Sequence, residues 1–305
     1  MSNNSKDWKQ QLQKSGLSLE NRIARELDTL KIKYIPEVEY ERLNPEGIVI
    51  KPSFDYLGDN IIEDLSNEHP KDLYFRFIIE CEQRFETVKW LFRPQQRSDT
   101  FRDSEIILSY NLQAILTSVW QEMNTDNLAC RGIEVGANVN EKGVEHAISQ
   151  VVYAIPYYLL ATSDAIDKAE KIKWQRGAVY FLVPVVVTTS KLYQLYADWD
   201  EKYRDANNPE DVGKEMPYII YVEEPWLDLR NHWAWVLNKK RRQLMLERGA
   251  GMELGINPFV NNYLTGNWKS WKYCIVVNID YFSKFITDYM ELYRRCYGVF
   301  VNRSP

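Results

Sequence analysis

Leu73-Tyr-Phe-Arg-Phe-Ile-Ile-Glu-Cys81 is the stretch on which the reading of the fold turns. It is dense in aromatic and branched side chains, as a strand at the centre of a sheet should be. It then carries a carboxylate, Glu80, directly after the apolar pair Ile78-Ile79. A charge that continues such a strand must be paired, metal-bound or at an exposed strand end, because an isolated buried charge is costly. Strand alternation puts Glu80, Glu82 and Arg84 on one face, with Cys81 and Gln83 on the other.

Upstream of this strand, Ser18–Leu30 reads as a helix with Ser18 as its N-cap and Leu19, Ile23, Leu27 and Leu30 at helical spacing. Lys33–Tyr40 reads as a strand, Asn44-Pro45-Glu46-Gly47 as a turn and Ile48–Tyr56 as a second strand. Downstream, residues 88–104 read as a basic, aromatic loop and 105–123 as a helix, while 129–139 carries no clear signal. Residues 141–161 form a long predicted helix with Val144, Ile148, Val151 and Val152 on one face. Gly177–Thr188 is a continuous apolar run, the signature of a strand covered on both faces. Residues 190–198 begin another predicted helix, and 199–216 are polar and loop-like. Tyr218–Val222 and Cys274–Ile279 read as strands, and Phe282–Cys296 as an amphipathic helix. Helices and strands are mixed throughout, which sets the class as α/β or α+β. The expected arrangement is a single decorated domain over 1–305, with a core at about 16–190 and a C-terminal elaboration or small subdomain at about 200–305.

The composition bounds the function. With 38 Lys plus Arg against 43 Asp plus Glu, the chain of 305 residues has a formal net charge of −5. That excludes nucleic-acid binding by bulk charge but not a local basic groove. The four cysteines contain no C-x-x-C pair, and their scatter fits a reducing compartment. Three histidines argue against a multi-His metal site. The N-terminus has no apolar core of a signal peptide, and no apolar run reaches the ~18 residues of a membrane helix. These features predict a cytoplasmic protein with no membrane partner. P-loop, dinucleotide-binding, serine-hydrolase-elbow and zinc-protease motifs are all absent.

The chemistry concentrates in acids. Glu20 falls in the first turn of the first helix, Asp55 near the end of the second strand, and Glu80 near the end of the third. Acids at the ends of neighbouring strands can meet on one sheet edge. Hard cations such as Mg²⁺ are held by a few carboxylates plus water, and such a cation can activate water at a phosphate. Taken singly, each acid is also readable as a solvated strand end, and Gln150 as a satisfied polar group of its helix.

In order and type, these elements resemble the PD-(D/E)xK nuclease superfamily, particularly its Mrr-like restriction endonuclease branch. The matching stretches are Gly16-Leu17-Ser18-Leu19-Glu20, Pro52-Ser53-Phe54-Asp55 and Ile78-Ile79-Glu80-Cys81-Glu82, followed by a helix with Gln150 and Tyr153 and by the strand 177–188. The resemblance implies a restriction-endonuclease-like mixed central sheet flanked by helices, with C-terminal elaborations. It implies a metal-dependent DNA endonuclease in restriction or anti-phage defence. Asp55 and Glu80 would hold Mg²⁺ or Mn²⁺, and Glu20 and Glu82 would complete the catalytic set. DNA is the implied partner, with a homodimer or a protein partner in a defence complex also compatible.

One departure stands out. The family's lysine falls at Glu82, in the run Glu80-Cys81-Glu82-Gln83-Arg84. Glu82 is then a further metal ligand with Lys89 or Arg93 supplying the cation, or the motif is slid so that Arg84 takes the lysine's place, or catalysis is lost. The last case gives the alternative function: an inactive nuclease-like protein that binds nucleic acid or serves as an assembly subunit. For substrate contact, Lys89, Arg93, Arg97 and Arg102 interleave with Trp90, Phe92 and Phe101, and Lys239-Lys240-Arg241-Arg242 follows Trp233 and Trp235. Such mixtures suit phosphate contact and base stacking, but are equally a packed loop and a solvated helix face.

Overall fold

The computed structural model describes residues 15–62, 71–95, 127–136, 142–171, 177–223, 226–248, 256, 264–265 and 272–301. Helix α1 (Leu17–Thr29) is followed by β1 (Lys33–Glu39), the small β2 (Arg42–Leu43) and β3 (Val49–Ile50), β4 (Ser53–Ile62) and β5 (Lys71–Glu82). Then come β6 (Lys89–Pro94), β7 (Leu128–Val135), helix α2 (Gly143–Lys171), β8 (Gly177–Thr188) and β9 (Lys191–Leu195). The chain continues through the short helices α3 (Trp199–Lys202) and α4 (Pro209–Val212), β10 (Gly213–Met216), β11 (Tyr218–Glu223), α5 (Leu227–Arg248), β12 (Lys272–Asn278) and α6 (Phe282–Val301). This is a mixed α/β architecture around a ten-stranded sheet in the order β1-β4-β5-β8-β12-β11-β7-β6-β9-β10.

The left half of that sheet is set by β5. It pairs antiparallel with β4 from Leu73↔Ile62 to Ile79↔Tyr56, and parallel with β8 from Lys71↔Gly177 to Glu82↔Thr188. Because β5 has a partner on each side and a helix layer on each face, its apolar side chains can be continuous rather than alternating. Phe75 meets Tyr289 and Tyr293 of α6 on one face, whereas Arg76, the next residue, lies near Tyr158 of α2 on the other. Alternation along one strand therefore separates α6 from α2. Leu19, Ile23 and Leu27 of α1, at i, i+4 and i+8, form a buried stripe. Val144, Ile148, Val151 and Val152 of α2 are all fully buried.

Several expectations are corrected. The N-cap of α1 is Gly16, in the left-handed conformation at φ 81°, and not Ser18. A side chain there would crowd Glu20 Oε1, 3.1 Å from the position of a Cβ. The second strand is displaced: 49–50 pairs in a separate hairpin, and the sheet strand runs on to Ile62. Within the predicted loop 88–104, Lys89–Pro94 is a strand between β7 and β9, with Trp90 and Phe92 buried. The predicted helix at 190–198 is instead the strand β9, since Leu192 and Tyr193 are buried while paired between β6 and β10. The polar stretch 199–216 holds α3, α4 and β10. The predicted helix 105–123 lies outside the described residues. The strands of the last third, β11 and β12, enter the middle of the same sheet, with β12 parallel to β8. Among the described residues no helix is long and apolar enough to cross a membrane.

Candidate active site

Asp55, Glu80 and Glu20 come from β4, β5 and α1. The β4–β5 ladder is continuous as far as Tyr56↔Ile79. Beyond that pair the Asp55 carboxylate takes over, and its Oδ2 accepts the backbone N–H of Cys81 at 2.6 Å. Asp55 is thereby seated beside Glu80. Tyr56, next to it, donates its hydroxyl to the Glu20 carbonyl at 3.1 Å and ties α1 to the same strand end. On the opposite face of β5 from Glu80, Gln83 Oε1 accepts from the Ser18 hydroxyl and from the Leu19 amide. These contacts hold the start of α1 against the end of β5.

Glu80 is only 6% exposed. Its Oε1 accepts from Gln150 Nε2 of α2 at 2.6 Å, and its Oε2 is buried without a hydrogen-bond partner. Gln150 is held in turn through its own carbonyl, which accepts the Tyr40 hydroxyl at 2.8 Å. Burial first, then the charges of Asp55 and Glu82, push the Glu80 carboxyl up to about 9. Burial also raises Asp55 above the usual carboxylate range, although the Cys81 N–H pulls it back. Glu20 is raised by burial and by Asp55. Three acids thus each disfavour ionisation of a neighbour, an arrangement that a bound cation relieves.

Glu82, two residues on, has a different setting. Its Oε2 accepts from Arg84 Nη1 at 2.5 Å, and Arg84 Nε donates to Glu134 Oε2 of β7 at 2.7 Å. Trp90 Nε1 of β6 donates to the same Glu134 oxygen, and the Arg84 guanidinium lies 6.0 Å from the Trp90 ring centroid. Burial raises the Glu82 carboxyl, and the adjacent guanidinium offsets part of the rise. Among the described residues, the only ion pair made by Glu20, Asp55, Glu80 and Glu82 is the one from Glu82 to Arg84.

A Mg²⁺ or Mn²⁺ ion would need oxygen donors from this set. Among the described residues no group of three or more His, Cys, Asp or Glu side chains is gathered to hold a metal. Two carboxylates with water completing the shell is the usual way Mg²⁺ is bound by protein. Asp55 and Glu80 fit that mode, because Glu80 Oε2 is a buried oxygen that no protein group serves.

The basic residues are dispersed. Lys89 Nζ donates to the Glu86 carbonyl, and Arg93 Nη2 lies 3.4 Å from Cys130 Sγ. Arg97 and Arg102 lie outside the described residues. The run 239–242 sits on α5, where successive residues turn by about 100°, so four consecutive cations point in different directions. Lys239 pairs with Glu41 and Lys240 with Asp164 of α2. Arg241 Nη1 lies 3.4 Å from Asn238 Oδ1, and Arg242 is exposed.

Sequence reasoning missed Glu134, which lies in a stretch without clear periodicity, and the capping role of Gln83. It also missed Arg42 and His232, which no motif contains. No family model, curated protein or solved structure matches the chain.

Proposed function

We propose that this protein is a restriction-endonuclease-like, metal-dependent DNA endonuclease that hydrolyses phosphodiester bonds, in a restriction or anti-phage role in the cytoplasm. One observation carries the reading: a buried, partnerless carboxylate oxygen on Glu80, beside Asp55, at the shared end of adjacent antiparallel strands. The arrangement of elements supports it: helix α1, the antiparallel β1-β4-β5, and, after β6 and β7, helix α2 leading into β8 parallel to β5. Asp55 and Glu80 would hold Mg²⁺ or Mn²⁺, which supplies positive charge to water and to the phosphate when bound. Gln150 orients Glu80 through Oε1 and leaves Oε2 turned away from its amide. Glu20, whose carboxyl is raised by burial and by Asp55, would stand at the edge of that site.

A second reading rests on the Arg84 network. The cation nearest the lysine position is clamped between Glu82 and Glu134, and an arginine does not serve as a proton acceptor. That favours an inactive nuclease-like protein that binds nucleic acid or serves as a subunit of a complex. The test is nicking of supercoiled plasmid DNA with Mg²⁺ or Mn²⁺. The parent should cut, and Asp55→Ala and Glu80→Ala should lose at least ~100-fold in rate. Cleavage that survives both substitutions places the chemistry elsewhere, and no cleavage by the parent favours the binding reading.

A further inference from the structure

The residue that carries a further inference is Arg42, at the start of the β2–β3 hairpin. Its guanidinium carbon sits 3.6 Å from the centre of the Tyr153 ring of α2. Its Nε is buried without a hydrogen-bond partner, and among the described residues the side chain makes neither an ion pair nor a hydrogen bond. A half-buried guanidinium with no acceptor is unusual, because its planar fork of donors normally engages carboxylate or phosphate oxygens in pairs. Stacking on the tyrosine fixes the plane of the fork while leaving its edges unused.

The platform under Arg42 is rigid. Tyr153 is 1% exposed, and its hydroxyl accepts from Trp226 Nε1 at 3.1 Å. His232 packs against it, tilted by 54°, with ring centroids 5.0 Å apart. Both His232 nitrogens are in use: Nδ1 accepts from the Leu43 amide at 3.3 Å, and Nε2 lies 2.8 Å from the Tyr153 carbonyl oxygen. The first contact requires a bare Nδ1, so Nε2 carries the proton and the ring is neutral. Burial, with Arg42 nearby, pushes His232 down to about 4. The adjacent acid, Glu41, is already matched by Lys239. Arg42 is therefore the positive group of this corner, and among the described residues no carboxylate pairs with it.

Its place relative to the acids gives the ligand. Gln150 holds Glu80, and Tyr153 lies three positions further along the same side of α2. Three residues of an α-helix advance about 4.5 Å, less than one turn, so the Glu80 contact and the Arg42 contact neighbour each other on α2. We propose that Arg42, stacked on Tyr153, grips a phosphate of the nucleic-acid strand that Asp55 and Glu80 would face. This rests on the nuclease reading for its substrate class, and it supplies near the acids a cation that the motif itself lacks.

The test uses the full chain in EDTA, so that metal-dependent cutting plays no part. Binding of a fluorescein-labelled 20-base-pair DNA duplex is followed by anisotropy over a range of salt, and binding of inorganic pyrophosphate by calorimetry at fixed ionic strength. Arg42→Met, which keeps the stem on Tyr153, should weaken both at least ~5-fold and lower the salt slope by about one contact. Arg42→Lys keeps the charge and loses the planar stack; it should recover part of the affinity, and it replaces the methionine variant if that folds poorly. Lys284→Met, which removes an exposed lysine of α6 paired with Asp288, should retain binding, and an equal loss there would mean that bulk charge and not the Arg42 corner is being read. If pyrophosphate binds through Arg42 and DNA does not, the anion site stands and the nuclease reading falls. If Arg42→Met binds both probes as the parent does, or the parent binds neither, the proposal is wrong.

Discussion

Glu80 and Glu82 are two residues apart on one face of one strand, and the fold treats them in opposite ways. Glu82 is answered: Arg84 reaches it, Glu134 holds Arg84 from the other side, and Trp90 caps Glu134. Glu80 receives one amide hydrogen from Gln150, and among the described residues its other oxygen has no hydrogen-bond partner. The difference separates a structural acid from one available for chemistry. An acid that already has its cation gains little from a metal, whereas an acid raised to about 9 has much to gain. On the proposed reading Glu82 acts mainly through Arg84, and a metal would rest on Asp55 and Glu80.

The largest effect should come from breaking the answered side. Arg84→Met leaves the buried Glu82 and the half-buried Glu134 without their cation, and should cost about 3 kcal/mol in urea unfolding. Adding Glu82→Gln and Glu134→Gln to that variant should restore most of the loss. A triple variant no more stable than Arg84→Met would show that packing, and not charge, holds β5 to β7.

On the unanswered side the sign reverses. The folded state raises the Glu80 carboxyl from the ordinary 4.5 to about 9, so the native chain binds more protons than the unfolded one between those values. Stability contributed by the protonated form is therefore full below about pH 4.5 and lost progressively as the pH climbs toward 9. Glu80→Gln should stabilise the EDTA-treated protein by about 2 kcal/mol at pH 8 and change little at pH 4, read from thermal melts. Mg²⁺ should raise the melting temperature of the parent more at pH 8 than at pH 6, and do so weakly in Glu80→Gln. A parent whose melting is indifferent to Mg²⁺ at pH 8 would count against the metal pair.

Gln150→Met removes the single hydrogen bond to Glu80 and should cost about 1 kcal/mol in the same unfolding assay. If cleavage is active, it should also lower the rate without changing duplex binding in EDTA. The smallest effect belongs to the surface pair of Lys239 and Glu41, where Lys239 is 55% exposed. Lys239→Ala should shift stability by less than ~0.5 kcal/mol. A larger loss would mean that α5 depends on this pair for its seat beside the β2–β3 hairpin.

Much of the fold was legible where one element carries one period. The stripe Leu19, Ile23, Leu27 marks α1, the apolar runs mark β5 and β8, and the buried valines mark α2, because burial on a regular element leaves its period in the residues. The errors fall where partners decide. Lys191–Leu195 and Lys89–Pro94 are short and polar enough to read as helix and loop, and become strands through each other, β7 and β10. The site divides in the same way. Glu80 stands out because an acid ends an apolar strand, and Glu82 because it occupies an expected lysine position. Nothing local marks Glu134 or Arg42, since each matters only through a residue 50 or 111 positions away in the chain.

From residue order alone came the α/β class, the long central strand and its acid, and the facing of Glu80, Glu82 and Arg84 to one side, all consequences of local periodicity. Tertiary structure decided which acid is paired and which is not. That depends on the side chains that α2, β7 and the β2–β3 hairpin bring to the end of β5, and the strength of a buried charge is set by those neighbours and by the water they exclude.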